Sequence, residues 1–325
     1  MHTKIKSDES WYNKSMSSTL RNTPFLFQGS FTKPNYFEGW YYKHVHEESN
    51  RSISFIFGIS TRDPHAFIQI ITSNPLVTTY VRYPLESFQA HLNGYRCGDS
   101  FFAPDKVMMN VKDETISVFG ELTLHQLTPI HRNVYAPNIM GPFAYLGNME
   151  CNHGVVSMNH QVNGTITVNG EMWTFSDQVG YIEKDWGRSF PRRYVWIQGN
   201  HFDHDAALMV SVADIPFLGF YFEGVICQLN LPNQVYRIAT YTGARCTGIQ
   251  HTPDGFTLTL KQGSLSLDIT AHVPQQGILK SPSMGAMTQT IKEGLGGTID
   301  LVLHRKGQPD LYLTSTHCGI EIEGY

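Results

Sequence analysis

The densest set of chemically capable side chains lies in residues 180–193, which read GYIEKDWGRSFPRR. Side chains alternate between the two faces of a β-strand, so Tyr181, Glu183 and Asp185 would share one face. If that face lines an apolar barrel lumen, burial raises the pKa of a carboxyl group, which can then act as a general acid near neutral pH. The alternative is a structural ion-pair network where two domains join, formed by Glu183, Lys184, Asp185 and Arg188.

A second polar cluster lies in residues 149–157, which read MECNHGVVS. Alternation along a strand places Cys151 and His153 on one face, and Glu150 and Asn152 on the other. Either Glu150 or His153 could transfer a proton in a reaction. The alternative is that these are hydrogen-bonded polar residues inside a barrel.

A third group lies in residues 37–44, which read FEGWYYKH. Here Glu38, Trp40 and Tyr42 share a face with His44, so that an acid lies beside two large rings. Such rings could line a pocket for a flat or polyprenyl ligand, and their faces could stabilise a cation. The alternative is that Trp40 fills the end of a barrel.

Metal and nucleotide sites are not supported by the residue spacing. His201 and His204 look like metal ligands, but they would lie on opposite faces of a strand, and no further ligand has a diagnostic spacing. There is no dinucleotide-binding GxGxxG, no P-loop and no nucleophile elbow. We therefore expect no metal and no redox or nucleotide cofactor.

Composition restricts the class of protein. Hydrophobic residues make up 41% of the chain and charged residues 16%, a balance that favours a well-filled core over disorder. Aromatic residues reach 12%, with 28 glycines and 16 prolines, which favours short strands joined by tight turns. The net charge of −4, without a long run of Lys or Arg, argues against nucleic-acid binding.

The cysteines and the start of the chain bear on its location. The five cysteines are scattered and show no C-x-x-C pair, so free thiols are expected. The first residues are polar and lack the apolar segment of a signal peptide. No stretch approaches the roughly 18 apolar residues of a membrane-spanning helix. The expected location is the cytoplasm.

The elements that would position these side chains are short strands, and their order repeats. Counted from Trp40 and from Trp196, the second, third and fourth strands begin at nearly equal distances. The match continues to the ends of both halves, and a repeat of roughly 150 residues indicates a duplicated domain. The paired strands are 37–44 with 196–202, 52–57 with 207–212, 66–71 with 219–226, 78–82 with 234–238, 116–122 with 265–270, 164–167 with 297–300 and 180–183 with 319–322.

The predicted fold is all-β, with two tandem lipocalin-like antiparallel β-barrels that arose by internal duplication. A chain of 325 residues is long enough for two domains. About eight strands per copy could close a barrel around one small ligand, although a two-sheet sandwich is an alternative. The predicted parts are a flexible arm over residues 1–23, a first barrel over 24–187 and a second barrel over 188–325.

The same stretches resemble the tocopherol cyclase family. The resemblance spans about residues 30 to 325, and its most specific part is EKDWG at residues 183–187. It implies a double lipocalin-like fold and the closure of a prenylated hydroquinone to a chromanol without redox change. In that reaction an acid protonates a trisubstituted alkene, and the phenol oxygen attacks the tertiary cation. The other matching stretches are 37–43, 149–155, 180–191, 196–202 and 319–324.

That chemistry needs a carboxylic acid, a base for the phenol proton and a dry aromatic pocket. The resemblance implies that Asp185 is the proton donor, that Lys184 or Arg188 orients its partners, and that the tryptophans shape the pocket. The predicted catalytic residues are Asp185, Glu183, Glu150 and His153. The predicted substrate-binding residues are Glu38, Trp40, Tyr42, Lys184, Trp186, Arg188, Trp196 and Asn200.

Two alternatives to the cyclase stay open. One is a non-enzymatic carrier or sensor for an apolar prenyl-lipid ligand, a common use of such barrels. The other is a hydratase that adds water to a polyprenyl double bond. In each case the expected partner is a small hydrophobic molecule such as a prenylated quinol, and its delivery could involve a transient contact with a membrane surface.

Overall fold

The computed structural model describes residues 20–91, 93–147, 149–217 and 219–325. The arm predicted over residues 1–23 therefore lies outside the described residues, except for its last four. The described chain is almost entirely β-structure, which confirms the predicted fold class. No helix within these ranges is long and apolar enough to cross a membrane. Four short 3-10 helices interrupt the strands: Glu47–Ser49, Leu85–Ser87, Gly141–Tyr145 and Thr240–Thr242.

The first half of the chain forms an antiparallel sheet of eleven strands. Its strands are β1 (Phe37–His46), β2 (Arg51–Ser60), β3 (His65–Thr72), β4 (Val77–Tyr83), β5 (Phe88–His91), β6 (Gly94–Cys97), β7 (Ser100–Ala103), β8 (Lys106–Lys112), β9 (Ser117–His125), β10 (Cys151–Val168) and β11 (Glu171–Gly187). Their order across the sheet is β4-β3-β2-β1-β11-β10-β9-β8-β7-β6-β5.

The second half forms a sheet of twelve strands. Its strands are β12 (Tyr194–Gly199), β13 (His201–Phe202), β14 (Ala207–Phe217), β15 (Phe220–Leu231), β16 (Gln234–Ala239), β17 (Arg245–Thr252), β18 (Gly255–Gln262), β19 (Leu265–His272), β20 (Gly277–Ser283), β21 (Ala286–Glu293), β22 (Gly297–His304) and β23 (Leu311–Glu323). The main order is β16-β15-β14-β12-β23-β22-β19-β18-β17, with β13 and the β20–β21 hairpin attached to β23.

The two halves share the central part of their strand order, β4-β3-β2-β1-β11 in the first and β16-β15-β14-β12-β23 in the second. In each, the last strand of the half pairs with the first: β11 with β1, and β23 with β12. Glu183 pairs with Tyr41 in the first sheet, and Glu321 pairs with Trp196 in the second. The counterpart of Trp196 is therefore Tyr41 and not Trp40. The sequence comparison that matched Trp40 with Trp196 was wrong by one residue. A shift of one residue moves every side chain of a strand to the opposite face.

Each sheet curls around its own core. In the first, Trp40 stacks on Phe57 with ring centroids 5.0 Å apart, and Phe57 stacks on Phe102 at 3.9 Å. The edge strands β4 and β5 have no backbone ladder between them within the described part of the chain. The sheet is therefore a curled half-barrel whose core packing brings its edges together, which is consistent with the predicted lipocalin-like barrel.

Corresponding connections of the two halves reach across to the opposite half. In the first half, residues 126–150 join β9 to β10, and the hydroxyl of Tyr241 donates to the carbonyl of Ile139 at 3.0 Å. In the second half, the hairpin β20–β21 joins β19 to β22, and Leu279 packs in one buried cluster with Ile71. Each half therefore covers part of the other, and the space between them becomes enclosed.

Candidate active site

A cavity of about 160 Å³ lies between the two sheets. It is lined by the side chains of β1 and β11 that point away from the first core, and by those of β12 and β14 that point away from the second. Of the two faces of β11, the one that carries Ile182 takes the core side, and the one that carries Glu183 and Asp185 faces this cavity between the sheets. Most of the lining is apolar, including Phe37, Ile56, Phe67, Phe143, Phe190, Trp196, Phe222 and Leu279.

His153 joins two carboxylates on the cavity wall. It lies opposite Asp185 in the β10–β11 ladder, and its Nδ1 is 2.9 Å from Asp185 Oδ1. Its Nε2 is 3.3 Å from Glu183 Oε2. Burial alone would lower the pKa of His153, but the charges of Glu183 and Asp185 outweigh it and raise this pKa well above its ordinary value. The imidazole is therefore held as a cation between the two acids.

Asp185 is the carboxyl group of this triad that the cavity reaches best. Burial raises its pKa, His153 lowers it, Glu183 raises it again, and the net change is upward. Its side chain is 24% exposed, whereas that of Glu183 is 6% exposed. This combination gives a carboxyl group that can hold a proton and present it to a bound molecule.

Glu183 is fixed by donors from both sheets. The hydroxyl of Tyr181 donates to Glu183 Oε2 at 2.6 Å, and the indole N–H of Trp196 donates to the same oxygen at 3.1 Å. That oxygen is therefore occupied as an acceptor, and Glu183 serves to hold His153 in place. Trp196 thus lines the cavity.

The triad also has the spacing of a metal site. Ligand atoms of His153, Glu183 and Asp185 all lie within 4.8 Å of one another. However, His153 Nδ1 already shares a proton with Asp185, and Glu183 Oε2 already accepts two hydrogen bonds. His153 Nε2 lies 3.3 Å from Glu183 Oε2 and makes no hydrogen bond with any described residue. The protons already held by Asp185 and Glu183 fit an acid–base group better than a metal-binding group.

A second pair of carboxyl groups lies in the same cavity, and sequence reasoning did not propose it. Tyr41 donates its hydroxyl to Glu293 Oε1 at 2.5 Å, and Tyr194 donates to Glu321 Oε2 at 2.6 Å. Burial raises the pKa of Glu321 well above its ordinary value, and the charge of Glu293 raises it further. The ladder register gives Glu321 the position in β23 that Glu183 takes in β11, but the sequence match of 180–183 with 319–322 aligned Glu321 with Ile182.

Glu150 and Arg188 lie apart from the triad. Cys151 and His153 line the cavity, whereas Glu150, which precedes β10, does not. The Glu150 carbonyl accepts the backbone N–H of Arg188 at 2.8 Å, while burial raises the pKa of the Glu150 side chain and Arg188 lowers it. The side chain of Arg188 is exposed. The structure therefore does not bring these two predicted residues to the other catalytic candidates.

Glu38 and Lys184 form a buried ion pair on the other side of β11. The Lys184 ammonium lies 4.5 Å from the ring centre of Trp40 and 5.0 Å from that of Trp186. Burial lowers the pKa of Lys184 to about 8, and the charge of Glu38 opposes this change. These four residues, predicted to bind substrate, pack beneath the cavity wall and not along it.

Tyr42 and Asn200 also make structural contacts. The Tyr42 hydroxyl donates to the carbonyl of Ala103 at 3.0 Å, inside the first core. The Asn200 amide donates to the carbonyl of Gly180 at 2.8 Å, which ties the second half to β11. Neither side chain lines the cavity.

Comparison with known proteins gives one family and several structures. The model of the family described as Tocopherol cyclase-like matches residues 132–324. No curated protein sequence matches the chain. The solved structure assigned as AttH from Nitrosomonas europaea is 15% identical, with 92% of this chain and 99% of that chain covered and a TM-score of 0.56.

Two further structures have a similar fold. CghA is 10% identical, with 93% of this chain and 98% of that chain covered and a TM-score of 0.59. Kievitone hydratase from Nectria haematococca is 12% identical, with 92% of this chain and 93% of that chain covered and a TM-score of 0.52. At such low identity these likenesses show the double-barrel fold.

Proposed function

The chain belongs to the tocopherol cyclase-like family, and we propose that it is an enzyme that closes a prenylated hydroquinone to a chromanol without redox change. The observation that carries this proposal is the position of Asp185. Its carboxyl group has a raised pKa, contacts the imidazole of His153 and faces an apolar cavity. An acid in such a place is suited to protonating an alkene, which has no polar atom to attract a proton.

His153 has two roles in the proposed step. Before transfer, its positive charge makes the neighbouring Asp185 carboxylic acid a stronger acid than burial alone would leave it. After transfer, the same charge stabilises the Asp185 carboxylate that has lost its proton. The charge of Glu183, 3.3 Å from Nε2 on the opposite side of the ring, keeps the imidazole protonated.

The cavity lining protects the carbocation that follows protonation. Water that reached a tertiary cation would convert it to an alcohol, and an enclosed apolar site limits that side reaction. The ring of Trp196 lies on the wall beside the triad, and aromatic faces stabilise nearby positive charge. The phenol oxygen of the same substrate then attacks the cation, and the ring closes.

Replacement of Asp185 by Asn tests the proposal. We expect Asp185→Asn to keep the fold and to reduce chromanol formation by roughly 10²–10⁴-fold, the usual contribution of a general acid. The measurement is chromatography of the products from a panel of prenylated benzoquinols. Asp205→Asn, at an exposed position, is the matched control and should turn over like the wild type. Retained turnover in Asp185→Asn would reject Asp185 as the acid.

A hydratase is the second candidate, because it shares the first step. One protein with a similar fold is named a kievitone hydratase, and a cation formed by Asp185 could equally be captured by water. Turnover in ¹⁸O-labelled water separates the two reactions: a cyclase product carries no label, and a hydratase product carries one labelled oxygen. Tight binding without any product from the wild type would indicate the carrier.

The proposed reaction is neutral in redox terms and so calls for no redox cofactor. All five cysteines are unpaired, and three of them are buried. Unpaired cysteines are typical of a reducing compartment. We therefore also propose that the protein works in the cytoplasm.

A further inference from the structure

The second carboxyl pair in the cavity is not used by the proposed acid. Glu293 on β21 lies directly opposite Glu321 on β23. Side chains that are directly opposite in an antiparallel pair lie on the same face, and both of these line the cavity. Two carboxyl groups on one face of an apolar site strongly disfavour being charged together, so at least one of them holds a proton near neutral pH.

One oxygen of this pair has no partner. The side chain of Glu293 is fully buried, and its Oε1 accepts the hydroxyl of Tyr41. Its Oε2 accepts no hydrogen bond from any residue that the structure describes. Buried polar atoms are nearly always hydrogen-bonded, so an orphan oxygen on a cavity wall indicates a bound group.

We infer that Glu293 Oε2 receives the hydroxyl group of the substrate and takes its proton as the ring closes. This inference rests on the proposed cyclase function and extends it by naming the base. Glu293 comes from the hairpin of the second half, whereas Asp185 comes from the first sheet. A substrate that reaches both groups must therefore lie across the junction of the two halves.

The electrostatics assign different roles to the two glutamates. Burial raises the pKa of Glu293 to about 7, while the Tyr41 hydroxyl and the Lys43 ammonium lower it. The pKa of Glu321 is raised further, so Glu321 holds its proton more tightly than Glu293 does. Glu293 is then the carboxyl group of the pair that ionises first, and its carboxylate form accepts a phenol O–H well.

The proton balance of the reaction closes with these two groups. Asp185 gives its proton to an alkene carbon, and the new C–O bond forms between the phenol oxygen and the tertiary cation. The phenol O–H bond breaks, and its proton passes to Glu293 Oε2. The substrate is isomerised, and the enzyme has gained a proton at Glu293 and lost one at Asp185. Release and uptake of a proton through solvent restore the starting state.

The same geometry defines the class of substrate. The hydroxyl must be a hydrogen-bond donor, because Glu293 Oε2 is an acceptor in the carboxylate form. The prenyl chain must bring an alkene to Asp185 while the hydroxyl stays on Glu293. An aromatic ring with a free hydroxyl next to its prenyl chain meets both conditions, and its methyl ether does not.

Binding of two matched ligands tests the inference without relying on turnover. Geranyl hydroquinone can donate a hydroxyl to Glu293, whereas its dimethyl ether cannot. Quenching of tryptophan fluorescence reports binding, since Trp196 lines the cavity. We expect the wild type to bind the hydroquinone about tenfold or more tightly than the ether. We expect Glu293→Leu to lose this preference, while an exposed control, Glu86→Gln, keeps it.

Turnover supplies a second test with the conservative variant Glu293→Gln. Its amide still offers an oxygen to the substrate hydroxyl but cannot take the proton, so KM should change little and kcat should fall about 100-fold or more. Wild-type kcat in Glu293→Gln, or an unchanged hydroxyl preference in Glu293→Leu, overturns the inference. Equal binding of the two ligands by the wild type also overturns the inference. If the wild type forms no chromanol, the proposed function fails, and the binding preference still decides whether Glu293 receives the hydroxyl group.

Discussion

At the scale of single residues, the charges of residues 183–185 divide between two environments. Glu183 and Asp185 face the cavity and hold His153. Lys184, between them in sequence, points to the opposite face and pairs with Glu38. Lys184 therefore belongs to a structural ion pair, which was the alternative interpretation of this stretch. Glu183 and Asp185 lie on the cavity wall, where they could take part in proton transfer. Strand alternation alone explains how three consecutive charges serve two purposes.

The buried pair of Lys184 and Glu38 gives a prediction about stability. Both side chains are fully buried, so Lys184→Met leaves the charge of Glu38 without its partner. Breaking a buried pair from one side costs about 3–5 kcal/mol, and the hydrogen bonds that Glu38 keeps from Tyr36, Gln28 and Gly29 place the expected loss toward the lower end of that range. Urea denaturation should show this loss. The double variant Glu38→Gln with Lys184→Met should recover part of it, and a Lys184→Met protein as stable as the wild type would contradict the assignment.

The raised pKa of Glu293 predicts how stability depends on pH. Its pKa rises from the ordinary value of 4.5 to about 7 in the folded protein, so the folded state binds the proton more tightly than the unfolded state. The contribution to the free energy of unfolding is therefore fully present below pH 4.5 and is lost as pH rises through about 7. The loss is on the order of 3 kcal/mol.

Comparison of the wild type with Glu293→Gln isolates this effect, because Gln does not titrate. The difference in the free energy of unfolding between the two proteins should change between pH 4.5 and 8, with the wild type losing stability relative to the variant. Denaturant titrations at several pH values provide the measurement. A difference that stays constant over this range would show that Glu293 has an ordinary pKa.

At the scale of elements, the two crossing connections build the enclosure of the cavity. Residues 126–150 contribute Met140 and Phe143, and the hairpin β20–β21 contributes Leu279 and Glu293. These two connections occupy corresponding positions in the two halves, so the two parts of the cavity wall that they form are related by the duplication. The hairpin also contains Glu293. Contacts that attach the hairpin to the first sheet should therefore affect ligand binding.

Gln69 on β3 holds this hairpin in place. Its Oε1 accepts the backbone N–H of Lys280 at 2.6 Å, and its Nε2 donates to the carbonyl of Lys280 at 3.3 Å. We expect Gln69→Ala to increase hydrogen exchange of residues 277–293 and to weaken binding of geranyl hydroquinone several-fold. Lys292→Ala is the matched control, since its side chain is exposed on the same hairpin and does not line the cavity. Unchanged exchange in Gln69→Ala would show that other contacts secure the hairpin.

The sequence was a good guide to strands and a weaker guide to what their faces meet. The succession of strands along the chain in both halves could be predicted from local periodicity. The shared face of Glu183 and Asp185 follows from the same periodicity. Which side of β11 faces the core depends on how the two sheets pack, and no local pattern contains that information. Trp40 and Trp196 look equivalent in the chain, yet one lies in a core and the other on the cavity wall.

The position of Glu293 was even harder to predict from the sequence. It lies in a connection between β19 and β22, with no neighbouring motif, and it reaches the cavity because the hairpin crosses to the other half. Its partner Tyr41 is 252 positions away in the chain. Contacts over such distances come from tertiary packing, which single-sequence reasoning does not capture.

At the scale of the whole molecule, the duplicated halves form one site that neither could form alone. Trp196 of the second half donates to Glu183 of the first, and Tyr41 of the first donates to Glu293 of the second. These reciprocal contacts join the acid and the proposed base across the junction. Divergence of the two copies then allowed one side to keep His153 with its acids and the other to keep a pair of glutamates.

The outer surface near the cavity suggests how an apolar substrate would arrive, and we propose that this surface touches a membrane. Phe217 and Phe220 flank the turn between β14 and β15 and are 38% and 55% exposed. The ring of Phe217 lies 6.2 Å from that of Phe222, which lines the cavity. The Arg192 guanidinium stacks 3.8 Å from the ring centre of the half-exposed Tyr221. Aromatic rings beside a basic group suit the interface of an anionic lipid bilayer.

Vesicle sedimentation tests this contact. We expect the protein to bind vesicles of phosphatidylcholine with phosphatidylserine weakly and to lose several-fold in binding when Phe220 is replaced by Ser. Tyr312→Ser removes a ring that is 66% exposed on β23, so it controls for the loss of any exposed aromatic side chain. Turnover of substrate supplied in detergent should be unaffected by Phe220→Ser, whereas turnover of vesicle-bound substrate should fall. Equal losses in the two variants would mean that the hairpin tip has no special part in delivery, and the substrate would then have to reach the cavity from solution.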